Sequence, residues 1–370
     1  MILNQTKALL IDMRRDLAAS YLFWISLGIS ALAAVVVLIP GIDAEGIHVF
    51  GFKLPIPMTT AFVPKAEFHL RWFLWIGIDK WIGWVACILA LISTASIFPR
   101  LQSQGVIDMM LARPIGRGRL FLTQYLLGLG FVAVQATVFT LVCFVGLGLR
   151  AGVWIPGILV CIPLTVILFS YIHALSALVG TLTRSTLLAV IATVLLWAVS
   201  GSIQVGDSAL EGWQEKVQAK LSDHEALAAK VHGASAEDIA SLKASPQKAG
   251  VHLDRQSRQA LDEVTSGKPD ALDQLVDTDR KTLSAMRPWV AGIRVVYTLC
   301  PKTQETVDLA GRWLVPSSHS ADRGDNPYDD DEMGHPPEVA HSAGFVLGTS
   351  LAFEALLVGL ALWVFKRRDF

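Results

Sequence analysis

The sequence predicts an all-α integral membrane protein with six transmembrane helices and a large helical extracytoplasmic insert between spans five and six. Of its 370 residues, 53% are hydrophobic and 17% are charged, whereas an ordinary soluble domain has about 25% charged residues. Six apolar runs approach or exceed the ~20 residues that a helix needs to cross the hydrocarbon core of a bilayer. These runs are Tyr21–Ile39, Trp81–Phe98, Leu120–Leu149, Trp154–Val179, Leu187–Ile203 and Gly344–Phe365.

The charged residues divide the chain into two parts. Residues 205–342 contain 23 acidic and 15 basic side chains, a net charge of −8, while the other 232 residues contain 9 acidic and 16 basic side chains, a net charge of +7. A polar stretch of this length is too long for a loop, so we predict a folded, mostly helical module. Residues 21–204 then contain spans one to five, and residues 343–370 contain the sixth span and a basic C-terminus.

Local patterns indicate where the elements begin and end. The aromatic stretch Phe68–Trp75 is typical of a segment at the membrane interface, just before span two. In the module, Ser235 followed by Asp238 indicates a capping box. A further helical pattern covers Ala271–Leu299, and Pro288 predicts an interruption in it.

Lysine and arginine residues near the span ends predict the orientation. With the N-terminus in the cytoplasm, the inside segments hold eleven Lys and Arg residues and the short outside segments hold five. Loops that stay in the cytoplasm are enriched in basic residues. We therefore expect both termini in the cytoplasm and the 205–342 module outside.

The sequence lacks the motifs that mark several classes of function. The chain has no GxxxxGK[ST], HExxH or GxSxG motif and no dinucleotide-binding glycine pattern. The four cysteines form neither a disulfide framework nor a CxxC pair, because three of them lie in apolar runs. We therefore expect no catalytic residues, no metal site and no directly bound cofactor, and any energy for work must come from elsewhere.

The segment 99–119, between spans two and three, is the most informative part of the sequence. Val106, Met109, Met110 and Arg113 recur at helical spacing, and Pro114 ends this short helix because the residue before a proline is excluded from the α region. A short amphipathic helix on the cytoplasmic face suits either docking on a partner or anchoring among lipid headgroups.

The same segment resembles the coupling segment of ABC exporter permeases of the type-2 export class. The resemblance rests on the pattern Gly105-x-x-Asp108-x-x-Leu111-x-Arg113-Pro114-x-x-Arg117-x-x-Leu120. Residues 1–20 are similar to the cytoplasmic amphipathic interface helix of that family, and the six spans and short basic C-terminus also agree. The similarity covers residues 1–204 and 343–370, whereas many members have only short re-entrant helices in place of the 205–342 module.

This resemblance implies a permease that pairs with a second copy or a paralogue and binds two copies of an ABC ATPase subunit, which uses the ATP. The coupling segment would sit in a groove of each ATPase. The residues implied in this contact are Gly105, Asp108, Met109, Leu111, Arg113, Pro114 and Arg117. The lipid bilayer is a further partner, an extracytoplasmic protein is a candidate partner for the module, and no nucleic acid is expected.

Ionisable residues within spans are costly and mark candidate functional sites. Glu354 lies near the middle of span six and His173 lies inside span four. Each either lines a substrate path or makes a structural contact, and for His173 the sequence favours packing. The pair Asp79-Lys80 is predicted to snorkel at the outer end of span two.

Small residues predict where helices approach each other closely. Gly344, Gly348 and Ala352 form a row at four-residue spacing in span six, and Ser26, Ser30 and Ala34 form another in span one. The pattern favours packing within the chain over packing between two copies.

The segment Ser317–Pro337 is predicted to be a linker, because it is rich in Asp, Ser, Pro and Gly. The acidic run 329–332 lies near His319, His335 and His341, but the spacing fits no calcium-binding loop. A solvated linker is the favoured interpretation.

Two other classes of function compete with the transporter. One is a membrane-anchored scaffold whose module binds an envelope partner, favoured by the size and acidity of residues 205–342. The other is an intramembrane enzyme, for which only Glu354 and His173 are available.

Overall fold

A computed structural model describes residues 21–49, 51–54, 59–60, 63–103, 116–152, 154–244, 253–314 and 341–367. Six of the helices in these ranges are long and apolar enough to cross a membrane, so the fold is that of a helical, multi-pass membrane protein. They are α1 (Tyr21–Leu38), α2 (Lys65–Leu101), α3 (Arg117–Ala151), α4 (Cys161–Thr183), α5 (Thr186–Val231) and α10 (Ala343–Arg367). Between the last two come α6 (Ala236–Ala244), α7 (Arg255–Thr265), α8 (Ala271–Leu299) and α9 (Thr303–Leu314).

One small sheet follows α1 and departs from the all-α prediction. It is an antiparallel meander of the strands β1 (Gly41–Asp43), β2 (Gly46–Val49) and β3 (Phe52–Lys53). Gly46 follows the first turn with φ of 131°, a conformation that residues with a side chain rarely adopt. Such short strands give too little alternation for the sequence to predict them.

Helix α2 joins two segments that the sequence predicted separately. The aromatic stretch at its start and the apolar run after it form one 37-residue helix, and its middle, Phe73–Ala86, has π-helical hydrogen bonding. Asp79 and Lys80 lie within this stretch and form an ion pair at 2.7 Å. Gln304 also donates to Asp79 at 3.2 Å. These partners satisfy the polar groups, so the helix continues through them.

The spans pack around α3 and α4. Their shared core contains large buried side chains such as Phe73, Phe139 and Phe169. At one end of α3, the Arg150 guanidinium donates to the carbonyl oxygens of Leu38 and Ile39 at 2.5 and 2.6 Å. A cation at these last carbonyls of α1 is favoured by the helix dipole.

The contacts of the chain divide it into two units. The first contains the six spans up to Gly201 of α5, together with residues 299–314. Helix α9 belongs to it because Val307 and Ala310 are buried in the core with residues of α2 and α4, and because the Trp197 indole donates to Thr303 Oγ1 at 3.3 Å. This helix thus packs with the spans, although the sequence grouped it with the predicted outer module.

The second unit consists of the described residues from Ser202 to Thr298. It has a hydrophobic core of its own, with Leu227, Leu261 and Leu272 almost completely buried among α5, α6, α7 and α8. This core makes the unit a folded module. Its position outside the membrane stays a prediction.

The helix boundaries of the second unit follow from capping residues. The Asp238 amide donates to Ser235 Oγ, and the Ser235 amide donates to the Asp238 carboxylate, so the predicted capping box is present. The predicted interruption at Pro288 is absent, because α8 runs through it. Pro288 cannot donate to the Ser284 carbonyl, but Ser284 is exposed, so that carbonyl remains open to solvent.

Candidate functional site

Most of the predicted coupling residues lie outside the described part of the chain. They are Gly105, Asp108, Met109, Leu111, Arg113 and Pro114, and their role stays a prediction. Arg117 is described, and it begins α3.

Arg117 joins the first turn of α3 to the last turn of α10. Its guanidinium Nη1 lies 3.4 Å from the carbonyl oxygen of Lys366, where a helix C-terminus attracts a cation. The next residue, Gly118, permits the approach, since a Cβ there would lie 2.8 Å from Lys366 Cε. The last of the seven predicted coupling residues therefore touches the end of span six.

The same two helices meet again at Glu354. Its carboxylate lies on α10 and is half-buried, with Oε1 2.7 Å from the Tyr125 hydroxyl of α3. Its Oε2 lies 2.5 Å from Ser170 Oγ of α4. Three spans thus converge on one carboxyl group, which we call the Glu354 cluster, consisting of Tyr125, Ser170 and Glu354.

The two hydroxyls of this cluster also contact backbone carbonyl oxygens. The Tyr125 hydroxyl also lies 3.0 Å from the Ser170 carbonyl oxygen, and Ser170 Oγ lies 2.7 Å from the Ile167 carbonyl oxygen. Each hydroxyl therefore has two acceptors within reach, one oxygen of the Glu354 carboxyl group and one backbone carbonyl oxygen.

His173 lies beside this cluster on α4 and is completely buried. Its ring stacks on the Tyr125 and Phe169 rings, with centroids 5.0 and 5.5 Å apart. A Cβ on Gly128 of α3 would lie 2.6 Å from His173 Cε1, so the glycine makes room for the imidazole. Neither ring nitrogen has a hydrogen-bond partner among the described residues. The packing that the sequence favoured is present, but the two polar atoms are unusual for a packing residue.

Sequence reasoning missed two residues of the Glu354 cluster. Tyr125 and Ser170 are ordinary residues for a membrane helix, so no feature of the sequence singled them out. Their role follows only from their distance to Glu354. Both residues lie on helices that contact span six in the structure.

A buried lysine was also missed. Lys302, between α8 and α9, is completely buried although the sequence places it in a polar stretch. Its amide donates to Ser350 Oγ at 2.9 Å, and its ammonium lies 4.9 Å from the Phe345 ring centroid, within the range of a cation–π interaction. These contacts bind the start of α9 to α10.

The two rows of small residues differ in their surroundings. Ser26 and Ser30 of α1 are buried, and Gln135 of α3 donates to Ser30 Oγ at 2.9 Å, so this row packs within the chain. The row of Gly344, Gly348 and Ala352 is exposed, and a Cβ on either glycine would meet no atom within 4 Å. That face of α10 is open in the single chain.

A metal site receives no support from the described residues, since they contain no group of three His, Cys, Asp or Glu side chains able to hold an ion. The acidic run 329–332, His319, His335 and the predicted linker lie outside those residues. His341 is described, and its Nδ1 lies 3.4 Å from Glu305.

Comparison with models of known protein families finds no match to this chain. Comparisons with curated proteins and with solved structures likewise find no similar protein. The functional assignment therefore depends on the sequence patterns and on the geometry of the described residues.

Proposed function

We propose that the chain is the permease subunit of an ABC exporter, which moves a substrate across the bacterial plasma membrane with energy from a separate ATPase subunit. The observation that carries this proposal is the contact of Arg117 with Lys366. It connects the segment that resembles an ATPase-binding element to the helix that holds Glu354.

The connection is short and follows rigid elements. Eight residues of α3 separate Arg117 from Tyr125, and twelve residues of α10 separate Glu354 from Lys366. At 1.5 Å per residue these are about 12 and 18 Å. Helices transmit displacement well because packed interiors resist compression, so a shift of the coupling segment would reach the Glu354 cluster through both helices.

In this proposal the Glu354 cluster is the point that alternates between two states. The carboxyl group is held by α3 on one side and by α4 on the other. A movement of α10 relative to these helices would break both hydrogen bonds and open the carboxylate to a path between permease copies. The exposed row of small residues on α10 is a suitable surface for the second copy, since small residues allow close approach of helices.

Helix α9 supports the same class of transporter. It is a 12-residue helix between α8 and α10 in the chain, and it packs against α2, α4 and α10. Many members of the family that the coupling segment resembles have short re-entrant helices between spans five and six. The described residues between Ser202 and Thr298 form an additional module before it.

The test is purification of the tagged full-length chain from its own host in mild detergent, with identification of co-purifying proteins and an ATP hydrolysis assay. We expect a stoichiometric ATPase with the parent chain and its loss with Arg117→Glu. Arg184→Glu is the matched control, because Arg184 is exposed between α4 and α5 at the same end of the spans but outside the coupling segment. Equal ATPase recovery from both variants would contradict the proposal.

A second candidate function is a membrane-anchored scaffold. The separate hydrophobic core of the module favours it, because such a unit can present a binding surface whatever the spans do. In the same purification, an envelope protein retained without any ATPase would support the scaffold. Exchange of the spans for unrelated ones, with that protein still bound, would establish it.

A further inference from the structure

The carboxylate of Glu354 has no basic partner within the described part of the chain. Asp79, by contrast, forms an ion pair with Lys80. The hydrogen-bond partners of Glu354 are the neutral hydroxyls of Tyr125 and Ser170, and no described Lys, Arg or His forms an ion pair with it. A carboxylate has about four lone-pair sites, and the two hydroxyls occupy two of them. When ionised, the group therefore keeps its net charge and can accept a further partner.

The buried ammonium of Lys302 lies away from this carboxylate. The Lys302 amide contacts Ser350, one turn before Glu354 on α10. The side chain, however, places its ammonium over the Phe345 ring, 4.9 Å from the centroid. Phe345 precedes Glu354 by nine residues, which is about 13 Å along a helix. The cation thus lies near the start of α10 and the carboxylate near its middle, so the two charges remain apart.

Glu354 lies at the boundary between the packed side and the open side of α10. One turn away on the packed side, Ser350 and Leu357 are buried. One turn away on the other side, Leu351 is 44% exposed and Val358 is partly exposed. Residues three and four positions apart are neighbours on a helix surface. The half-buried carboxylate therefore borders an apolar surface that the described residues leave open.

Beyond Leu351 the open side continues as a row of small residues. Four exposed residues recur at spacings of four, three and four, which places them on one side of the helix: Gly348, Ala352, Ala355 and Gly359. A Cβ on either glycine would meet no atom within 4 Å. In the transporter proposal this row faces the second copy, so the carboxylate borders the path between the two copies.

The surroundings of the carboxylate determine which class of ligand suits it. An anionic ligand would be repelled by the like charge. A divalent metal ion takes several oxygen ligands, whereas the described residues contain no group of three His, Cys, Asp or Glu side chains able to hold one. A monovalent organic cation needs only one opposite charge, and its apolar groups suit the surface at Leu351 and Val358.

We propose that the Glu354 carboxylate binds the positive charge of a lipophilic, monovalent organic cation, while the open side of α10 at Leu351 and Val358 contacts the apolar groups of the same ligand. This inference names the substrate class of the proposed exporter and therefore rests on that proposal. Because an ionic contact is strong where water is scarce, the affinity for the ligand should depend on its charge more than on its shape.

The test is equilibrium binding of radiolabelled tetraphenylphosphonium to the purified full-length chain in lipid nanodiscs, with binding to discs without protein subtracted. We expect saturable binding of this cation and none of tetraphenylborate, an anion of the same size and shape. Glu354→Gln should weaken cation binding at least about tenfold, because it removes the charge and keeps a similar shape. Glu354→Asp should restore part of the affinity.

Asp79→Asn is the matched control. It also converts a carboxylate of the spans to an amide, but Lys80 already neutralises Asp79, so this variant should bind the cation as the parent chain does.

Three results would overturn the proposal. They are no saturable cation binding by the parent chain, equal binding of tetraphenylborate, and equal cation binding by the parent chain and Glu354→Gln. The first two need no variant, so the test holds even if a substitution prevents folding. The assay needs neither ATP nor an ATPase, so a negative result here is distinct from a failure of ATPase co-purification, which tests the exporter itself.

Discussion

The span unit and the module satisfy their buried polar groups in different ways. In the spans, hydroxyl and amide groups pair with each other or with backbone carbonyls, as Ser30 does with Gln135, and Glu354 is held by two hydroxyls. In the module, the buried His224 lies between the carboxylates of Asp254 and Asp279. Neutral partners suit a region that water does not reach, because a charge there is costly; Lys302 is an exception in the same unit, and its ammonium lies over the Phe345 ring. Carboxylate partners suit a unit whose edges are solvated.

The span unit and the module also differ in how their helices pack. The spans approach closely at glycines such as Gly128, which lies against the His173 ring. In the module, ion pairs and capping residues connect helices that otherwise share a small core. We therefore expect different substitutions to destabilise the two units. The module should lose stability when a buried carboxylate loses its partner, and the spans should lose stability when a closely packed side chain is enlarged.

The largest expected effect is on the module, from His224→Ala. The substitution removes the buried ring that lies between Asp254 and Asp279 and its hydrogen bond with Asp279 Oδ2, and a hydrogen bond to a charged group contributes up to about 3 kcal/mol. Hydrogen exchange of the α7 and α8 amides in the full-length chain measures this loss of stability. Glu225→Ala is the control, because the exposed Glu225–Arg280 pair contributes less than about 1 kcal/mol. Similar effects of the two variants would refute this account of the module.

A smaller effect is expected in the spans, from Gly128→Ala. The added methyl group would overlap the His173 ring, and overpacking of this kind costs about 2 kcal/mol. Gly130→Ala on the same helix is the matched control, since its Cβ would meet no atom within 4 Å. The midpoint of thermal unfolding in detergent is measured for both variants, and only Gly128→Ala should lower it. An unchanged midpoint for Gly128→Ala would show that α3 and α4 are packed less tightly than described.

The smallest effect is the pH dependence of the module through Asp254. Burial raises the pKa of this carboxyl, but hydrogen bonds from the Ser257 amide and hydroxyl and the neighbouring His224 outweigh it and leave the pKa below 3.8. The unfolded chain therefore takes up the proton first as the pH falls. The stabilisation is complete above pH 3.8 and is lost as the pH falls through the lower, folded pKa.

Comparison of the parent chain with Asp254→Asn at each pH isolates this contribution. Hydrogen exchange of the α7 amides should be slower in the parent at pH 6, and the difference should shrink toward pH 3. A difference that is constant over this range would show that Asp254 stabilises α7 without titrating.

Sequence patterns predicted the spans better than their surroundings. The six apolar runs correspond to six described helices, although α2 and α5 extend well beyond theirs. Hydropathy measures only the part of a helix that suits hydrocarbon, so a helix that continues into another environment shows no further signal. The same limit explains why α9 was grouped with the module, because its polar residues, among them Gln304, are satisfied by contacts with the spans.

The candidate site was predicted in part. Glu354 and His173 stood out because an ionisable side chain in an apolar run is costly without a partner. Tyr125 and Ser170, the partners themselves, did not stand out, because a hydroxyl in a span is common and inexpensive. Only their positions on neighbouring helices identify them.

The sequence by itself determined that this is a helical membrane protein with six spans, because the length and composition of apolar runs are dictated by the thickness of the bilayer. It also determined the capping box at Ser235, which depends on residues three apart. Only the tertiary structure decided which helices meet at Glu354 and that Arg117 touches the end of α10. These contacts join residues tens to hundreds of positions apart, and they depend on how helix faces pack, which the order of residues along one helix does not specify.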